Sequence, residues 1–161
     1  MNVTAGWSNF LSAETGAAAT LAGLIFVAVS INLSKILEYP GVPGRAAEAL
    51  ALLMGVLFVC TFGLAPYQSE RSLGIEFLAV GGLLWLMTVI LAVGELRRKH
   101  PWRWLVSRFM LSQGATLSFC IAGIALILSH PNGMYWLIPG CVFSFVASIS
   151  SAWVLLIEIL R

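Results

Sequence analysis

The residues able to do acid–base or ionic chemistry are few: nine Lys and Arg, two His and seven acids, all of them Glu, in 161 residues. Glu14, Glu70, Arg71, Glu76 and His130 are expected to gather on one side of the protein as an acidic cluster. Such a mouth would attract cations or contact a partner. The simpler reading is solvated helix ends with an Arg71 ion pair, because exposed pairs contribute little. A second set is expected on the opposite side. There Arg45 and Glu48 are neighbours on one helix, and Arg108 is placed to pair with Glu158 between helices. A charge at the centre of a membrane span costs roughly 2.5–3.5 kcal/mol on insertion scales. All of these charges lie near span ends, where long side chains reach the interface and a carboxylate in a first turn suits the helix dipole. With none at the midplane, a proton relay is not expected.

Nucleophilic and metal chemistry have less support. Cys60, Cys120 and Cys141 each stand inside an apolar stretch with no CxxC spacing, so they read as small core residues. No HExxH, GxSxG, Walker loop or Cys/His ligand pattern occurs, and no enzyme, metal or cofactor is expected. Asn2-Val-Thr4 matches a glycosylation triplet, a pattern frequent by chance.

The elements that hold these residues follow from composition. Sixty per cent of the chain is hydrophobic and 10% charged, whereas a soluble domain devotes about a quarter of its residues to charge. The expected class is therefore an all-α polytopic membrane protein. A span needs about 20 apolar residues to cross ~30 Å of hydrocarbon. The pattern predicts five: about 12–34, 46–65, 73–94, 105–129 and 135–160, forming one transmembrane domain. Helix is expected to run on past Lys35 to the turn Pro40-Gly-Val-Pro-Gly44, where prolines remove donors and glycines permit left-handed backbone. Residues 1–12 lack Lys and Arg, so the first span is expected to be retained and not cleaved as a signal peptide.

Five spans place Lys35, Arg45, Arg97, Arg98, Lys99, Arg103, Arg108 and Arg161 on one side and only Arg71 on the other. The positive-inside rule then puts the N-terminus outside and the C-terminus inside. His100 and His130 fall on opposite sides and share no metal. The loop carrying Arg97, Arg98, Lys99 and Arg103 is expected to lie on anionic lipid headgroups, each base contributing about 1 kcal/mol. It calls for no nucleic-acid partner.

Small and hydroxylated residues recur at helical spacing. In the first span Gly16, Thr20, Gly23, Ser30 and Ser34 share a stripe with Val27; in the fourth, Ser112 and Thr116 follow Arg108; in the fifth, Gly140, Ser144, Ser148 and Ser151 align. Such stripes let helix backbones approach closely. They are expected to face protein and not acyl chains, either packing the five helices together or lining a polar path.

The runs ETGAAATLAGLIFVAVSINL (14–33) and PGVPGRAAEAL (40–50) resemble small bacterial multi-pass membrane proteins of uncharacterised role. The resemblance covers about the first third of the chain and implies a bacterial inner-membrane location, with no activity attached. The expected function is a non-enzymatic membrane protein that self-associates, as a channel- or transporter-like homo-oligomer. The second expectation is an accessory or regulatory subunit of another membrane complex.

Overall fold

The computed structural model of the chain describes residues 4, 6–39, 41–96 and 102–154, the side chains of 102–105 excepted. Its elements are α1 (Ser8–Ile31), α2 (Leu33–Glu38), α3 (Val42–Leu64), α4 (Glu70–Leu96), α5 (Trp102–Ile127), a single 3-10 turn (Gly133–Trp136) and α6 (Leu137–Trp153). No strand occurs among the described residues. Among the described residues, five stretches are long and apolar enough to cross a membrane: α1, α3, α4, Val106–Ile127 of α5, and Gly133–Trp153. The protein is thus an all-helical, multi-pass membrane architecture.

Local chemistry sets the helix ends. The first apolar stretch does not run unbroken towards residue 40 as expected. Asn32 interrupts it, because its side-chain amide donates to the Ala28 carbonyl at 3.0 Å, competing with its own backbone N–H for that acceptor. α2 then ends at Tyr39, and Gly41 turns the chain at φ 97°, a conformation that glycine adopts without a Cβ penalty. Pro43 stands in the first turn of α3, where its missing donor costs nothing. The Ser69 hydroxyl caps α4, accepting from the Ser72 N–H at 3.1 Å. At the end of α5, His130 N–H donates to the Ala125 carbonyl at 2.8 Å and Ser129 N–H to Leu126 at 3.0 Å. With Ser129 at φ 53°, this is a Schellman ending built without glycine.

The packing order is a ring, α3–α4–α5–α6 and back to α3, with α1 laid along the outside of α3. The largest interface joins α4 to α5, and glycine makes it close. A Cβ added to Gly74 would lie 2.7 Å from the Gly123 carbonyl oxygen, and one on Gly81 2.9 Å from the Cys120 backbone nitrogen. Elsewhere bulky side chains fill glycine notches: Leu84 on Gly55, Leu11 on Gly63 and Phe119 on Gly140. The main core gathers Leu11, Val56, Val59, Phe77, Phe119, Leu126, Met134 and Leu137, all at most 2% exposed. Trp7 seals the start of α1 against the 3-10 turn, edge-on to Tyr135 at 4.9 Å between ring centroids.

Candidate functional site

The charges that converge most closely are Glu48 of α3, Glu95 of α4 and Arg108 of α5. One Arg108 terminal nitrogen donates to both Glu95 oxygens, at 2.8 and 3.0 Å. The other donates to Glu48. The side chains are 7% (Glu48), 13% (Glu95) and 15% (Arg108) exposed. The three sit at the ends of α3, α4 and α5 that lie together near the connections between spans, so one guanidinium ties three helices of the ring. Arg108 Nε is buried and has no hydrogen-bond partner. One step deeper, the Gln113 amide donates to Thr88 Oγ1 at 3.2 Å, again joining α4 to α5. The gap bordered by Glu48, Thr88, Glu95, Arg108 and Ser112 is about 10 Å³, the lower limit for one water molecule. It is a packed ionic joint.

Among the described residues, the partner of Glu48 departs from expectation. Glu158, the expected partner of Arg108, lies outside the described residues; among those described, Arg108 pairs with Glu48 and Glu95. Glu48 engages Arg108 across helices, not its helical neighbour Arg45. Glu95 is a site residue that the sequence reading does not single out. Its signal lay in the sequence: Glu95 and Arg108 stand at the two roots of one antiparallel hairpin. Arg97, Arg98 and Lys99 lie outside the described residues, as do His100, Arg161 and the side chains of Trp102, Arg103 and Trp104.

At the other end of the bundle the acidic residues do not form one ionic group. The Gln68 amide nitrogen donates to Glu76, whose two carboxylate oxygens each lie 2.9 Å from Nε2. Glu70 stands in the first turn of α4, while Arg71 and His130 are exposed. Among the described residues the ion pairs are those of Arg108, and Arg71 shows none. Glu14 is half-buried, with one carboxylate oxygen shielded and unpartnered. It lies near Cys60 and Cys141, both of them buried. All three cysteines are free. No group of three His, Cys or Glu able to hold a metal ion occurs among the described residues.

The small-residue stripes divide sharply. Those of α5 and α6 turn inward: Ser112, Thr116, Ser144, Ser148 and Ser151 are buried, and Gly140 receives Phe119. Ser148 reaches across to the Ala49 carbonyl of α3 at 3.0 Å. The stripe of α1 turns outward. Gly16, Thr20, Gly23, Val27 and Ser30 are exposed, as is Ser34 of α2, and nothing lies within 4 Å of a Cβ built on Gly16 or Gly23. The expectation that this stripe packs within the bundle is therefore corrected. α1 buries Leu11, Ala18 and Ile25 against α3 instead. Along the outward face Thr20 and Ser30 satisfy themselves on the Gly16 and Phe26 carbonyls, each at 2.8 Å, so these two hydroxyls present no unmet donor.

No protein-family model, curated protein or solved structure gives a significant match to the chain.

Proposed function

We propose that this protein is a non-enzymatic component of a bacterial inner membrane, N-terminus outside and C-terminus inside, whose copies associate through α1 into a channel- or transporter-like oligomer. The observation that carries the reading is the outward stripe of small residues on a helix that packs mainly on α3. In lipid, where tails are as apolar as leucine, association relies on close backbone approach, and small residues permit it. Copies meeting along Gly16 and Gly23 bring Thr20 and Ser30 towards the shared axis. Their hydroxyls then supply the polar lining that the packed monomer lacks. The eight-to-one distribution of bases supports the orientation.

Disulfide trapping in native membranes tests this. In a chain with Cys60, Cys120 and Cys141 replaced by Ala, Gly23→Cys is expected to give a homodimer on mild oxidation. Leu83→Cys, exposed on α4, is expected to give none. Cation flux through proteoliposomes is expected to fall with Thr20→Val, which removes a hydroxyl from the stripe. If Gly23→Cys traps a different membrane protein in fixed stoichiometry, the chain is an accessory subunit, and the oligomeric reading fails.

A further inference from the structure

Beside the ionic joint lies a cavity of about 460 Å³ between α2, the start of α3 and the end of α4. That volume is in the range of small-molecule sites, roughly 300–1,000 Å³. Its walls are Leu37, Tyr39, Gly44, Ile90 and Leu91, with the Glu95 carboxylate as its charged group. Gly41 borders the carboxylate: a Cβ there would sit 3.9 Å from Glu95 Oε1. We propose that this cavity binds an ethanolamine phospholipid, its ammonium on Glu95 and its upper acyl chains along Leu37, Ile90 and Leu91.

Three observations converge on that ligand. The first is charge. Among the described residues Glu48 and Glu95 share one guanidinium, leaving an excess negative charge, and no Lys or Arg among them lines the cavity. A carboxylate oxygen holding one hydrogen bond has capacity for another, and a charge-assisted bond from an ammonium is among the stronger kinds. The second is depth. α4 has 27 residues, roughly 40 Å of helix against ~30 Å of hydrocarbon, so its last turns reach the headgroup level. The third is the opposite charge nearby. α3 starts without a side-chain cap or an acidic first turn, and Lys35 and Arg45 stand at the same end of the chain's fold. A phosphate adjoining the ammonium meets cations and a helix N-terminus there.

The test is native mass spectrometry of the full chain released from detergent, titrated with phosphatidylethanolamine, phosphatidylglycerol or phosphatidylcholine. Gly94 borders the cavity and has open space at its Cβ, so Gly94→Phe fills the cavity while leaving the Arg108 contacts in place. The expected result is an ethanolamine-lipid adduct retained at least tenfold better than the other two and lost in Gly94→Phe. Glu95→Gln is expected to erase the headgroup preference while apolar retention persists. Phosphatidylglycerol held on the basic loop is not displaced by Gly94→Phe and so is told apart. An adduct that survives Gly94→Phe, or a Gly94→Phe-sensitive site that takes phosphatidylglycerol equally well, overturns the proposal. Should a variant fail to fold, the headgroup ranking on the wild-type chain decides.

Discussion

Arg108 holds two carboxylates from two other helices, so its removal does more than delete one contact. With the guanidinium gone, Glu48 and Glu95 face each other in a region of low exposure. Breaking a buried pair from one side costs roughly 3–5 kcal/mol, whereas replacing all members by apolar groups is far less damaging. Arg108→Met is therefore expected to lower stability by about that amount in reversible unfolding from mixed micelles. The combined Glu48→Met, Glu95→Met, Arg108→Met chain is expected to recover most of the loss. A triple variant no better than the single one contradicts this account of the joint. The identity of these charges was legible in the sequence, since so few interrupt the apolar runs. Their pairing was not, because it depends on which helices neighbour one another in the ring. Only the Glu95–Arg108 half, fixed by one hairpin, lay within reach of the sequence.

At the level of helices, glycines that look alike in the sequence do opposite things. Gly123 abuts the backbone of α4, with 2.7 Å between its would-be Cβ and the Gly74 oxygen; Gly23 meets nothing within 4 Å. Gly123→Leu forces α4 and α5 apart, an overpacking that costs typically 1–3 kcal/mol and more where only backbone can yield. Gly23→Leu is expected to leave monomer unfolding within about 0.5 kcal/mol of wild type, as at an unconstrained surface site. Parallel thermal melts of the two variants check the contrast, and equal losses would refute it. Helical period identified the stripes on all three spans, but period alone does not say which way a stripe faces. The direction was decided by Leu11, Ala18 and Ile25, which dock α1 on α3 by the face opposite its glycines. Likewise, Asn32 broke the first helix where hydropathy carried on, because one side-chain amide competed for a carbonyl.

For the whole molecule, the span count was readable from length and apolarity, since every helix that crosses a bilayer must satisfy its own backbone. The ring order, with α1 outside it, was not, because each span is apolar on most faces and any neighbour is nearly as acceptable as lipid. The orientation is testable with an impermeant maleimide on intact cells. In a chain otherwise free of cysteine, Arg71→Cys is expected to label from outside and Lys99→Cys only after the membrane is opened. The reverse pattern inverts the topology. The most direct test of the central claim, association through α1, is the mass of the purified protein in detergent by light scattering. Wild type is expected to give one discrete oligomer, and Gly16→Leu with Gly23→Leu a monomer of unchanged helical circular dichroism. A monomeric wild type, or a double variant that keeps the wild-type mass, would contradict it.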